Sequence, residues 1–453
     1  MNEMENINKA IVIGAGVSGI NAANLLSAHV GEVCLYEENP KADVEKIREN
    51  LVDERIKVIV GELTDEEMES AVLVVPSPGV FPESEIFRRA VDKGKIIWGE
   101  IELAYRFEKG EVIAITGTNG KTTTTTLIGE IIKAWNANTF VVGNIGIPYT
   151  SEVEKTTTDS VSVAEISSYQ LETMITFHPK IAAILNITPD HLDRHHTMEE
   201  YARVKESICK NQTRDDTCVL NYDDERLRDF GENRCPSNVV WYGRLNRPEK
   251  GFYFENDVIF KVDGDDKTAL LDINDTNLLG THNYENMMAA FAVGEAAGVP
   301  NDTIIRVIKN FKAVEHRIEF VNTVNGVDYY NDSKGTNEDA SIKAIEAMRK
   351  PTILIAGGYD KNSTFDEYVK AFGDKVKEVV VLGATADKII DTAKAAGFTN
   401  VVKVKDLEEA VNVCKKDAKK GECVLLSPAC ASWDMFTNYE VRGRKFKEYV
   451  NAN

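Results

Sequence analysis

Short apolar runs rich in β-branched residues recur along this chain. Each is followed by a turn and then by apolar positions at helical spacing. Runs that are apolar on both faces read as buried strands of a parallel sheet. In the first hundred residues they fall at 10–13, 33–36, 57–60 and 72–75. They resume at 112–115, 161–163 and 181–185, and again at 352–356, 378–382, 400–404 and 423–426. Between 221 and 275 the text is loop-like and strand-like, and 258–262 reads as a hairpin arm. Asn325-Gly326 lies between runs at 318–324 and 327–331, which is the strongest short hairpin signal. Strand–helix alternation on this scale predicts an α/β chain of three domains, at 1–99, 100–313 and 314–453. The outer two read as Rossmann-like open sheets. The three are not repeats of one another, and the only biased stretch is Thr122–Thr126.

The clearest chemistry lies in EVIAITGTNGKTTTTTL, residues 111–127. A strand runs into Gly117, Thr118, Asn119 and Gly120, then Lys121, Thr122 and Thr123, and then a helical pattern through Leu127, Ile128, Ile131 and Ile132. Backbone N–H groups of such a turn point at a phosphate, and the helix N-terminus adds partial positive charge. The Lys reaches the outer phosphates, and a Thr hydroxyl binds Mg2+. The loop is shorter than the standard P-loop, with Ile115 where that pattern has its first glycine. A flexible turn before an ordinary helix would not need Lys and Thr in this order. The central domain is therefore expected to be a P-loop-type ATPase domain binding ATP and Mg2+.

The first domain opens with GAGVSG, which places Gly14, Gly16 and Gly19 after the first strand, and Glu37 and Glu38 end the second. This suits a dinucleotide, with the acidic residue on a ribose. A second turn, PSPG at 76–79, faces the same crevice.

Charge narrows the field. A formal net charge of −20 argues against nonspecific nucleic-acid binding, which needs a basic face. It does not forbid anionic ligands held by local Lys, Mg2+ and helix ends. The seven cysteines show no CxxC spacing and read as reduced core thiols. The polar start MNEMENINKA is no signal peptide, and no apolar run reaches membrane-spanning length. A cytoplasmic protein without membrane insertion is expected, as a monomer.

In the central domain Glu165 ends the strand beginning at 161, where a carboxylate facing a crevice suits Mg2+. His191, flanked by Asp190 and Asp193, has metal-ligand character, whereas His195 and His196 are expected to face solvent. Lys205, judged by residue type alone, reads as a surface lysine of the next helix. In the third domain Lys334, Thr336, Lys361 and Ser432 fall at strand-to-helix turns, with Ser432 at the start of the final helix. Cationic and hydroxyl donors converging there suit an amino acid with two carboxylates.

TGTNGKT resembles the ATP loop of the Mur ligase and folylpolyglutamate synthase superfamily, whose members join an amino acid to a carboxylate using ATP. GNIG (143–146), AEISSYQL (164–171), NITPDHLDRH (186–195) and a Lys in the following helix are similar to those of the Mur ligases, and the likeness runs from about residue 9 to 446. The resemblance implies a first domain holding UDP, with Gly16, Val17 and Ser18 near the diphosphate and Ser77, Pro78 and Gly79 near the sugar nucleotide. It implies Thr122 and Glu165 on one Mg2+. His191 and Lys205 would serve a second, Lys205 as an Nζ-carbamate, because a bare ammonium repels Mg2+ and a carbamate offers it oxygen. Asn144 would lie at the substrate or metal, Asn286 at the adenine, and Arg317 and Asp332 at ATP. NDSKGTN (331–337), GGYDKN (357–362) and LLSPACASWDMFTNYEVRG (425–443) resemble the family's D-glutamate-adding branch. There Lys361, Ser432 and Tyr439 would hold the D-glutamate carboxylates, with Thr336 nearby. The implied substrates are UDP-N-acetylmuramoyl-L-alanine, D-glutamate and ATP, joined through an acyl phosphate in peptidoglycan precursor synthesis. Two rivals stay open. A folylpolyglutamate-type ligase would share TGTNGKT without needing GAGVSG. A dinucleotide-dependent oxidoreductase would use GAGVSG with Glu37 on a ribose.

Overall fold

The computed structural model describes residues 3–312, 314–360 and 363–452. Its strands form three sheets. The first holds β1 (Lys9–Ile13), β2 (Glu32–Glu37), β3 (Lys57–Val60), β4 (Leu73–Pro76) and β5 (Ile96–Ile97). They lie in the order β3-β2-β1-β4-β5 and are all parallel. Every residue of β1 is buried, as a strand covered on both faces requires.

The second sheet holds β6 (Glu111–Thr116), β7 (Thr139–Gly143), β8 (Val161–Glu165), β9 (Ile181–Ile184), β10 (Thr217–Asn221), β11 (Asn238–Gly243), β12 (Lys250–Glu255), β13 (Val258–Asp263) and β14 (Asp266–Asp272). The order is β14-β13-β12-β11-β10-β9-β6-β8-β7. The stretch from β7 through β12 is parallel, and β12–β13–β14 closes the edge as an antiparallel meander. Asn256 and Asp257, both at positive φ, make the tight turn into β13. Thus the loop-like text after residue 221 resolves into strands that extend the sheet away from the phosphate loop.

The third sheet holds β15 (Glu319–Val324), β16 (Val327–Asn331), β17 (Thr352–Ala356), β18 (Val376–Val381), β19 (Val401–Lys403) and β20 (Cys423–Leu426), in the order β15-β16-β20-β17-β18-β19. Only the β15–β16 pair is antiparallel, turned by Asn325 and Gly326 at positive φ.

Two compact units contain these sheets. The first spans Met1–Asp272 with Glu285–Ile308, and the second Ile273–Tyr284 with Lys309–Asn453. In the first unit one apolar core joins both sheets. Val12, Leu35 and Val75 belong to it together with Trp98, Ala114 and Ala182. The second unit has its own core on each face of its sheet. Among the described residues no helix is long and apolar enough to cross a membrane.

Candidate active site

In the first unit the turn after β6 is shaped by two glycines. Gly117 and Gly120 have φ of 153° and 83°, and a Cβ on Gly120 would come within 2.5 Å of Asn286 Oδ1. Helix Lys121–Trp135 starts directly after Gly120. The loop is clamped from the β9 side. Thr118 N donates to the Asn186 carbonyl at 2.9 Å, and Asn119 N donates to Asn186 Oδ1 at 2.8 Å. Thr118 Oγ1 donates to the Thr188 carbonyl at 3.1 Å and lies 3.1 Å from the Tyr201 hydroxyl. Asn286 is buried behind the loop and accepts from Thr124 Oγ1 at 3.1 Å. Its amide therefore fixes the first turn of the helix.

Two lysines meet on this turn. Lys121 Nζ donates to the carbonyls of Gly117 and Thr118, both at 2.8 Å. Lys205 Nζ donates to the same Gly117 carbonyl at 2.8 Å. Lys205 is 1% exposed, so it is no surface lysine. Burial, reinforced by the charge of Lys121, holds its ammonium well below the ordinary lysine range, with Asp190 pulling the other way. Helix Met198–Glu206 delivers it to the loop.

Glu165 ends β8 and is 1% exposed. Asn144 donates to its Oε1 at 2.8 Å, and the Asn144 backbone N–H donates to its carbonyl at 2.8 Å. Its Oε2 is buried and has no hydrogen-bond partner in the protein. A buried, charged, unpaired oxygen is costly unless a cation balances it. Together with Thr122 on the neighbouring helix start, the donor set is all oxygen, which fits Mg2+.

His191 lies at φ 51°, and its Nδ1 shares a 3.0 Å hydrogen bond with the Tyr169 hydroxyl. Its side chain is about half exposed and its Nε2 is 3.4 Å from Asp190. His196 is exposed, as expected, but His195 is not. It is 3% exposed, 3.0 Å from Ser168 Oγ, with its pKa lowered by burial. The reason is the backbone. Helix Leu192–His195 is a single turn between residues at positive φ, His191 and His196, and this rotates neighbouring side chains to opposite sides.

Arg194, which the sequence reading did not single out, ties the two sheets of the first unit together. It is buried and donates to both Glu172 carboxylate oxygens. It also donates to the carbonyls of Pro78 and Val80, each at 3.1 Å. Pro78 belongs to the second turn of the first domain. Ser77 Oγ in turn donates to the Gly14 carbonyl at 3.3 Å, so the two turns pack as one surface. Gly16 and Val17 are exposed and Ser18 is half-buried at the start of helix Val17–Ser27, and Gly79 is exposed. Glu37 accepts from Ala15 N at 2.9 Å and from Asn39 N at 3.0 Å. Beside them a cleft of about 420 Å³ opens, with Gly16, Glu37, Asn39 and Lys46 among its walls.

In the second unit Asp332 follows β16. It accepts from Ser427 Oγ at 2.7 Å and from Ile318 N at 3.3 Å. Burial pushes its carboxyl up to about 7, against Ser427 and the charges of Arg317 and Arg442. Arg317 itself is exposed. Lys334 Nζ stands 5.6 Å from the centre of the Tyr439 ring, and Thr336 is half-buried nearby in sequence. Arg442 fastens the same turn, donating to Ser333 Oγ at 3.0 Å and to the carbonyls of Ser333 and Cys430. Tyr359 and Ala431 form a bridge, which brings residues 357–360 beside SPACASWD. Lys361 lies outside the described residues. Ser432 is 2% exposed, and its hydroxyl has no hydrogen-bond partner in the protein. It does not start the final helix, which runs Tyr439–Asn451 and is capped by Asn438. Instead Met435 and Phe436 close a turn on the Ser432 carbonyl.

Three family comparisons divide the chain as the sheets do. Residues 8–99 match the Mur ligase MurD-like N-terminal domain, 115–294 the Mur ligase middle domain, and 316–430 the Mur ligase glutamate ligase domain. The UDP-N-acetylmuramoylalanine--D-glutamate ligase of Lachnospira eligens is 56% identical over 99% of this chain and 100% of its own length. The chain belongs to the Mur ligase family. The enzyme of the same name from Clostridioides difficile is 45% identical over 98% of each chain. Among solved structures, the Mur ligase MurC of Thermotoga maritima, a UDP-N-acetylmuramate-alanine ligase, superposes with a TM-score of 0.61 at 20% identity, covering 98% of this chain and 99% of its own. That likeness shows a shared Mur ligase fold.

Proposed function

We propose that this Mur ligase adds D-glutamate to UDP-N-acetylmuramoyl-L-alanine at the expense of ATP, in peptidoglycan precursor synthesis. The observation that carries the reading is the end-to-end identity of 56% to a D-glutamate ligase. The rival oxidoreductase has no use for the Gly117–Thr122 loop or the third domain. A folylpolyglutamate-type ligase has none for the first.

The reaction takes two steps. The L-alanyl carboxylate attacks the γ-phosphorus of ATP, expelling ADP and forming an acyl phosphate. The amine of D-glutamate attacks its carbonyl carbon, phosphate leaves, and the amine loses a proton. The loop N–H groups from Gly117 to Thr123 and the helix start bind the phosphates, and Lys121 neutralises charge gathering on the transferred group. Thr122 and Glu165 would hold Mg2+, which supplies further charge neutralisation. Arg317 and Asp332 are assigned to ATP as well, with Asn286 at the adenine side of the loop.

His191 and Lys205 are assigned to a second Mg2+, with Lys205 carbamylated. The depressed basicity of Lys205 supports this, since only the free amine adds to CO2, giving a carbamate and one proton. The cleft beside Gly16 and the adjoining turn Ser77–Gly79 are assigned to the sugar nucleotide, with Val17 and Ser18 at its diphosphate and Asn144 at the L-alanyl end. Lys334, Thr336, Lys361, Ser432 and Tyr439 are assigned to D-glutamate. The unpartnered Ser432 hydroxyl suits a carboxylate acceptor. Seven free, buried cysteines fit a reducing cytoplasmic setting, where we place the enzyme as a monomer.

Phosphate release with a panel of amino acids tests the reading. It should require UDP-N-acetylmuramoyl-L-alanine and D-glutamate together. L-glutamate, D-alanine and diaminopimelate should each be at least about tenfold poorer, because each leaves a charge-assisted donor unpaired or misplaces the amine. Equal turnover with any of them refutes it. For the carbamate, Lys205→Ala should be inactive and partly rescued by short carboxylates. Labelled bicarbonate should give a carbamate carbon signal in the parent only.

A further inference from the structure

Three cysteines that the reaction does not use converge inside the first unit. Cys209 sits in the short turn Ser207–Cys209 that continues the Lys205 helix, Cys218 on β10, and Cys235 in the loop before β11. They come from three separate segments, yet their sulfurs all lie within 4.8 Å of one another. Cys209 and Cys218 are wholly buried and Cys235 is 7% exposed, so the group reaches the surface only at Cys235. No two form a disulfide.

From this juxtaposition we infer that Cys209, Cys218 and Cys235 form a binding site for one soft, thiophilic divalent ion of the Zn2+ class, outside the catalytic centre. Sulfurs bonded to zinc at about 2.3 Å stand roughly 3.8–4 Å apart, so these three need to close by no more than about 1 Å. Thiolate ligands select soft ions over Mg2+, which separates this site from the oxygen donors of Thr122 and Glu165. The Ser237 hydroxyl lies 3.3 Å from Cys235 Sγ and would supply the fourth ligand, an oxygen.

Binding is an acid–base exchange with no electron transfer. Three thiols lose three protons, three S–metal bonds form, and the complex carries one negative charge. Its consequence is mechanical. Cys209 lies one helical turn beyond Lys205, and Cys209 Sγ already donates to the Glu206 carbonyl at 3.2 Å. A bound ion would therefore staple the end of the helix that presents Lys205 to β10 and the Cys235 loop.

The test is titration of the reduced, tag-free full chain with Cd2+, followed by sulfur-to-metal charge-transfer absorption and by proton release in weak buffer. The result expected is one tight Cd2+ per chain, close to three protons released, displacement by Zn2+, and a raised unfolding midpoint with either ion. Cys218→Ser and Cys235→Ala should each weaken Cd2+ binding at least tenfold, and two variants guard against one that fails to fold. The inference is overturned if no charge-transfer band grows within one equivalent, or if the band survives in both variants. It is equally overturned if thiol alkylation of the purified chain under denaturing conditions shows two of these cysteines already joined as a disulfide.

Discussion

Replacing Glu165 by glutamine should pull metal binding and folding in opposite directions. The carboxylate is 1% exposed, and only one of its oxygens is paired, by the 2.8 Å bond from Asn144. Glutamine keeps that acceptor and puts a neutral amide where the unpaired Oε2 stands. An unpaired buried polar group costs about 1–3 kcal/mol, and more when it is charged. A neutral amide is cheaper to bury than a carboxylate, so the ligand-free variant should be more stable by about 1 kcal/mol. That corresponds to roughly 1.5–2 °C for a unit of this size. With Mg2+ and ATP the ranking should invert. A ligand at a hundred times its Kd adds about 2.7 kcal/mol to the parent. The variant lacks the charge that holds the cation and should keep only the ATP-alone part. Thermal unfolding of both proteins without ligand, with ATP, and with ATP plus Mg2+ reads each term. If the ligand-free variant melts at or below the parent, or if Mg2+ raises both equally, the unpaired oxygen is not a metal ligand.

Two further substitutions probe parts of the fold that support the site. Asp332 has a folded-state pKa of about 7, above its ordinary 3.8, so the fold holds a proton that the unfolded chain releases. Its contribution is therefore greatest below about pH 4 and is lost as pH rises to about 7, by at most about 4 kcal/mol, after which it is flat. Urea unfolding of the parent minus that of Asp332→Asn should show this fall, and parallel profiles would rule it out. Arg194→Lys keeps one charge for Glu172 but cannot reproduce a planar fork that also reaches two carbonyls. It should cost about 1.5–3 kcal/mol in urea unfolding and weaken sugar-nucleotide binding more than ATP binding. A change under about 0.5 kcal/mol would mean the link to Pro78 and Val80 carries no strain.

How far the sequence could be read follows from the range of the interactions involved. β3, β16, β17 and β20 were legible to the residue, because a short apolar run bounded by turn residues is a local signal. The phosphate loop was legible for the same reason. Gly120 must sit at positive φ directly before Lys121, and the clash a Cβ would make there leaves glycine as the fitting residue. The final helix starts later than Ser432 because residues 432–436 first close a turn and Asn438 then caps the helix, and a serine in a turn looks like a serine at a cap. His195 was misplaced because a one-turn helix between two residues at positive φ has no periodicity to read.

What composition and spacing could not reveal is every pairing between distant segments. Ser427 with Asp332, Arg194 with the Pro78 turn, and the three converging sulfurs each join segments far apart in sequence that only the fold brings together. Lys205 shows the point most sharply. By residue type it is a solvent lysine, and its motif register pointed inward. What makes its chemistry special is that β6, β9 and the Met198–Glu206 helix aim two lysines at one carbonyl, that of Gly117. Burial, and the charge of Lys121 beside it, hold the Lys205 ammonium well below the ordinary lysine range. The parallel sheet thus does more than position ligands for ATP. By burying Lys205 against Lys121 it lowers the basicity of that amine, which is the property the proposed carbamate would draw on.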